Sequence, residues 1–193
     1  MWTAFAVSFL AIFVAELGDK SQLMAMVFAT RYKAWQVLLG ITIATTVVHA
    51  LSVALGFGLG EALPTGWISL VAAVAFLGFA AWTLRGDSLS ENEQKKASHA
   101  NKRSAVIVVT VAFFLAELGD KTMLATVTLA AQHDWLGIWI GSTIGMVVAD
   151  ALAIVVGQQL GKRLPERAIR YGASALFVVF AIWLGWEAVT ELA

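Results

Sequence analysis

The residues able to do chemistry in this 193-residue chain are gathered in a pentapeptide that occurs twice, Glu-Leu-Gly-Asp-Lys at 16–20 and again at 117–121, each copy inside a long apolar run. A charged side chain at the centre of a lipid-spanning helix costs roughly 2.5–3.5 kcal/mol on insertion scales. Six such charges in two matched sets therefore imply a use. Glu16 and Asp19 are three residues apart, which on a continuous helix puts them on one face, and Glu117 and Asp120 repeat the arrangement. Four carboxylates at one cavity make an oxygen-rich site suited to a hard divalent cation such as Mn²⁺, Ca²⁺ or Mg²⁺. Ser21, Gln22 and Thr122 are candidate supporting oxygens. Lys20 and Lys121 follow their glutamates by four residues and are expected beside them. Two lysines against four carboxylates leave a formal charge of −2, which one divalent ion neutralises. A set of ion pairs with no bound ion is the alternative reading.

Gly18 and Gly119 lie inside the motif, where glycine costs a helix about 1 kcal/mol relative to alanine. They either allow close helix packing, as Gly56/Gly60 and Gly137/Gly141/Gly145 do at small-xxx-small spacing, or unwind the helix and expose carbonyl oxygens to a cavity. His49 and Asp150 are titratable residues in other apolar runs, and they are the candidates for proton coupling, with helix–helix hydrogen bonding as the plain alternative. Met24, Met26, Met123 and Met146 read as packing residues rather than a soft-metal path. His133 and Asp134 fall in a short interfacial turn.

The elements that must hold these groups follow from composition: a chain that is 60% hydrophobic and 13% charged cannot cover a water-soluble surface. Roughly 20 apolar residues of helix cross about 30 Å of hydrocarbon. Such runs are expected at 2–29, 35–59, 67–84, 104–131, 135–160 and 169–188, giving an all-α integral membrane protein of six transmembrane helices. Trp2, Trp35, Trp67, Trp82, Trp135 and Trp186 lie near span ends, as interfacial aromatics do. The absence of cysteine excludes a disulfide framework and a thiolate metal site. The first apolar run lacks a basic leader and is longer than an ordinary signal sequence, so a retained span is expected. Zero formal net charge argues against nucleic acid as a partner.

The motif spacing of 101 residues, from Glu16 to Glu117, recurs without a gap. It pairs Gly40 with Gly141, Ala50 with Ala151, Gly56 with Gly157, Gly60 with Gly161 and Leu63-Pro64 with Leu164-Pro165. It also pairs Phe76 with Phe177, Phe79 with Phe180, Trp82 with Trp183, and His49 with Asp150. The expected organisation is a first three-helix repeat at 1–85, a cytoplasmic linker at 86–103 containing His99, and a second repeat at 104–193. An odd number of spans per half makes the second repeat inverted, an architecture that places substrate near the midplane between the halves. Arg31 and Lys33, then Arg85, Lys95, Lys96, Lys102 and Arg103, then Lys162, Arg163, Arg167 and Arg170 all fall on one side. That side is expected to be cytoplasmic and both termini extracytoplasmic. Glycine-rich faces serve internal packing and self-association equally well, which leaves the oligomeric state open.

The two copies, Glu16-Leu17-Gly18-Asp19-Lys20-Ser21 and Glu117-Leu118-Gly119-Asp120-Lys121-Thr122, resemble the hallmark Glu-x-Gly-Asp-(Lys/Arg)-(Thr/Ser) of uncharacterised-protein-family 0016, the Gdt1 and transmembrane protein 165 family. The resemblance extends over essentially the whole chain. It implies a transporter, not an enzyme, moving Mn²⁺ and in some members Ca²⁺ in exchange for protons; bacterial relatives are manganese exporters of the cytoplasmic membrane. By carry-over, Glu16, Asp19, Glu117 and Asp120 are the ion ligands. The expected partners are a divalent cation and membrane lipid, with no cofactor. The expected reaction is Mn²⁺ export by proton antiport with alternating access. A Ca²⁺/H⁺ exchanger is the alternative within transport; a passive cation channel and an intramembrane metalloenzyme are the alternatives outside it.

Overall fold

A computed structural model of the chain describes residues 1–62, 64–85, 105–160 and 166–192. They form eight helices: α1 (Trp2–Glu16), α2 (Lys20–Ala29), α3 (Ala34–Ala62), α4 (Thr65–Arg85), α5 (Ala105–Glu117), α6 (Lys121–Ala130), α7 (Trp135–Leu160) and α8 (Glu166–Leu192). The described residues contain no strand. The linker expected at 86–103, with His99 and its basic residues, lies outside them, as do Leu63, Gly161, Lys162, Arg163, Leu164 and Pro165.

Four of these helices, within α3, α4, α7 and α8, are long and apolar enough to cross a membrane, and the α1–α2 pair makes a fifth if taken as one bent span. The single span expected at 2–29 is two helices meeting at 72°. The span expected at 104–131 is likewise divided, into the short apolar helix α5 and α6. Gly18 and Gly119 cause both breaks, with φ of 75° and 78°, a conformation that the other described residues avoid. Each glycine ends one helix, and the aspartate after it, in extended conformation, starts the next.

Polarity is turned inside out relative to a soluble protein. Leu39, Ile43, Val47, Leu51 and Leu55 form an exposed stripe along α3, and Val71, Val74 and Leu77 stand exposed on α4. The interior holds Glu16, Asp19, His49, Glu117, Asp120, Lys121 and Asp150. Hydrocarbon is the solvent such a surface fits, and polar groups then turn inward to find one another.

Contacts between the halves are reciprocal at the 101-residue spacing. Gly40 of α3 lies against Val106 and Val109 of α5, while Gly141 of α7 lies against Phe5 and Ser8 of α1. Gly56 meets Val127, and Gly157 meets Met26. Residues that correspond to each other meet directly: Thr45 with Met146 at 3.3 Å, and Phe76 with Phe177, ring centres 5.8 Å apart. α4 and α8 run antiparallel, with Gly66 beside Leu192 and Ser174 donating to the Ala80 carbonyl at 3.0 Å.

A methyl group on Gly40 would sit 2.7 Å from the Val109 Cβ, and one on Gly145 would sit 2.7 Å from the Phe9 carbonyl oxygen. Gly40→Ala and Gly145→Ala are each expected to destabilise the protein by about 1–3 kcal/mol through overpacking. Gly58→Ala, where the same methyl meets nothing within 4 Å, should be neutral by comparison in thermal unfolding in detergent.

Candidate functional site

The two helix breaks set the geometry of the charged residues. Glu16 is the last residue of α1 and Glu117 the last of α5, while Lys20 and Lys121 open α2 and α6. These signs oppose the helix dipole, which favours cations at C-termini and anions at N-termini. Asp19 and Asp120 sit at the N-cap positions with favourable sign, yet neither makes a side-chain capping bond. Their carboxylates reach across the molecule instead. Asp19 pairs with Lys121, and Asp120 with Lys20 at 3.2 Å.

This corrects the expectation that each lysine lies beside the glutamate four residues before it. That pairing requires an unbroken helix, and the left-handed glycine between the two residues removes the helical register. For the same reason Glu16 and Asp19 do not share one helix face. Each glutamate is met by the hydroxyl that follows in its own copy: Ser21 donates to Glu16, and Thr122 Oγ1 donates to Glu117 Oε2 at 2.8 Å. Ser21 also reaches Asp19 at 3.3 Å.

The site retains unused acceptors. Glu16 Oε1, Glu117 Oε1, Asp120 Oδ2 and both carboxylate oxygens of Asp150 are buried without a hydrogen-bond partner. Asp150 stands within electrostatic reach of Glu16 and Asp19, and Glu117 within reach of Asp150. In this conformation no three His, Asp or Glu side chains among the described residues converge tightly enough to hold a metal ion.

The halves differ in detail. Gln22 accepts from the Gly18 N–H at 2.8 Å and donates to the Ala149 carbonyl at 2.9 Å, tying the first break to α7 beside Asp150. Both polar ends of Gln22 are therefore engaged with backbone. Its counterpart Met123 offers only its sulfur to the Gly119 N–H, at 3.2 Å. Lys20 keeps 22% of its side chain exposed against 2% for Lys121. His49 is buried, with Nδ1 3.5 Å from the Thr143 hydroxyl. The bridging role of Gln22 is not legible in sequence, where it reads only as a neutral oxygen after the motif.

At the end of the molecule that carries Met1, the His133 ring lies edge-on to Trp183, with centres 6.1 Å apart. Burial lowers the pKa of this imidazole, and Glu187 opposes that shift. Asp134 accepts from the Gly137 N–H at 2.8 Å and so caps the start of α7.

The chain matches a family described as the divalent cation/proton antiporter GDT1 twice over, at residues 4–91 and at residues 105–192. It is 33% identical over 180 residues to a protein of Vibrio cholerae whose name calls it a manganese exporter, covering 92% of this chain and 88% of that one. It is 30% identical to a GDT1-like protein of Synechocystis, over 98% of this chain and the whole of the relative. It is also 32% identical to the chloroplastic protein PAM71 of Arabidopsis thaliana, over 97% of this chain and 58% of that longer one. No solved structure matches it.

Removing Lys121 takes a fully buried ammonium away from Asp19, whereas removing Lys20 takes away from the buried Asp120 an ammonium that water already reaches. Lys121→Met is expected to cost about 3–5 kcal/mol and Lys20→Met clearly less, by thermal unfolding in detergent. Asp19→Asn combined with Lys121→Met should recover much of the loss.

Proposed function

We propose, because this chain belongs to the divalent cation/proton antiporter GDT1 family and is thus a transporter rather than an enzyme, that it exports Mn²⁺ across the bacterial cytoplasmic membrane in exchange for protons. The observation that carries the reading is the set of buried carboxylate oxygens with no partner on Glu16, Glu117, Asp120 and Asp150, all near the two helix breaks. A buried unsatisfied acceptor is costly. A divalent cation or protons would satisfy these oxygens, and exchange of one for the other is antiport. The similarity to a Vibrio cholerae protein named as a manganese exporter supports Mn²⁺ and the outward direction.

Glu16, Asp19, Glu117 and Asp120 are the cation ligands in this proposal. Lys121 and Lys20 pair with Asp19 and Asp120 across the halves, so a cation bound by these carboxylates has to compete with the ammonium groups held there. Ser21 and Thr122 orient the glutamates. Asp150, facing the same cluster, is the stronger coupling candidate. His49 bonds elsewhere in this conformation, and its part in coupling would require movement of α3.

The architecture belongs to the same proposal: six spans in two inverted halves, 1–85 and 104–193, joined by a cytoplasmic segment at 86–103. The reciprocal contacts support it, because the corresponding helices α4 and α8 run antiparallel. A two-fold axis that relates antiparallel helices lies across them, in the plane of a membrane they span. Arg31, Lys33 and Arg85 lie at one end of the bundle, and the bias of basic residues toward the inside supports taking that end as cytoplasmic and both termini as extracytoplasmic.

Proteoliposomes with an imposed pH gradient test the reaction. Mn²⁺ flux with opposing proton movement is expected in the wild type and should vanish in Glu16→Gln/Glu117→Gln. Asp150→Asn should retain Mn²⁺ binding and lose the dependence on the pH gradient. Flux of Ca²⁺ without Mn²⁺ would replace the substrate, and full transport by the double glutamine variant would reject the site.

A further inference from the structure

The interior contains two hydrophobic clusters that are counterparts at the 101-residue spacing. One includes Ala4, Ile12, Leu129 and Ile138; the other includes Ala105, Phe113, Phe28 and Val37. They lie toward opposite ends of the bundle, the first near Met1 and the second near Tyr32. Reciprocity fails in one respect. Among the described residues, α4 and α8, joined through Phe76, Phe79, Phe177 and Phe180, contribute to the first cluster and not to the second. α8 packs on α1 and α4 on α6, while the equivalent pairs, α4 on α5 and α8 on α2, make at most marginal contact among the described residues.

The same imbalance is visible residue by residue. Ala11, Ala15 and Ala130 are buried at 0%, 1% and 3% exposure, whereas their counterparts Ala112, Ala116 and Ala29 are only partly buried. The small-residue face built from α1 and α6 is covered by the α4–α8 pair, and among the described residues the equivalent face built from α2 and α5 is not. The two faces were built from one duplicated sequence, so the pair that fits the first has a matching surface on the second.

We infer that the α4–α8 pair is the moving element of the transport cycle, docked here on the end of the molecule that carries Met1 and able to dock on the equivalent face formed by α2 and α5 at the basic end. The His133–Trp183 contact, with Glu187 one turn along α8, is the latch that closes the Met1 end. The aromatic cluster at Phe76 and Phe177 is the pivot, since these corresponding residues meet near the pseudo-two-fold axis and need not separate when the pair tilts. This rests on the transport reading above and refines it: the two halves do not rock as whole bodies, because α1 with α7 and α3 with α5 are joined by glycine contacts too close to slide. Among the described residues the end covered by the pair is the one without Lys or Arg, so in this proposal the state is the one that loads from the cytoplasm.

The chain has no cysteine, which makes the test direct. Spin labels at Leu77→Cys on α4 and Leu115→Cys on α5, both exposed positions, report the uncovered side. In liposomes the pair should give two distance populations, with Mn²⁺ and an imposed pH gradient redistributing them. A second variant, His133→Cys/Trp183→Cys, joined by oxidation or a short thiol crosslinker, should lose Mn²⁺ flux and regain it on reduction, which also controls for folding. When the latch and the label pair are combined, crosslinking should leave only the longer distance. A single distance unchanged under all conditions in transporting protein, or full flux through the crosslinked latch, would overturn the moving pair. Two distance populations in a protein that moves no cation would instead remove the transport reading and leave the moving pair standing.

Discussion

The arrangement depends on two ion pairs that cross between the halves, Lys121 with Asp19 and Lys20 with Asp120. Each lysine begins a helix and each glutamate ends one, so four of the six charges oppose the local helix dipole. Neither half can correct this alone, because its own lysine and aspartate are adjacent in sequence and diverge at the start of α2 or α6. The opposite charge comes from the other copy of the motif. The pairs therefore make each half incomplete without the other, and they hold two broken helices together in a region where hydrocarbon offers no alternative partner.

Around this centre the molecule is organised by repetition. Gly40 and Gly141 allow α3 to approach α5 and α7 to approach α1, so the four half-helices are clamped by the two long helices. Two departures from repetition stand near the centre: Gln22 against Met123, and His49 against Asp150. The first break is tied by Gln22 to the Ala149 carbonyl, beside the buried Asp150. The second has only a sulfur contact, and Gly119 stands exposed. A transporter that must carry different loads in two directions has reason to make its two breaks unequal.

Much of this was legible in the sequence, because duplication is read by subtraction. The helix ends at Trp135 and Leu160 fall where hydropathy places them, and the small-xxx-small glycines of α7 make the helix contact their spacing implies. Other features were hidden by the period assumed. Glu16 and Lys20 have the spacing of a helical ion pair, and nothing in the residue types reveals that Gly18 adopts positive φ instead of a helical conformation. Glycine permits both, and the choice is made by the charge waiting on the other half. The division of the runs at 2–29 and 104–131 into short helices follows from the same choice, since apolar composition continues across both breaks. The role of Gln22 depended on a carbonyl 127 residues away and left no local trace.

The reciprocal contacts have a consequence for how such a chain is assembled. An interface in which Gly40 meets Val109 and Gly141 meets Ser8 is isologous, the kind formed by two identical subunits about a dyad. One half thus already presents both the knob and the hole of its own interface, and a covalent join is not what makes the halves fit. What joining supplies is individuality. Once the two copies are encoded separately along one chain, a glutamine can stand opposite a methionine and a histidine opposite an aspartate, differences that two copies of a single gene product could never hold.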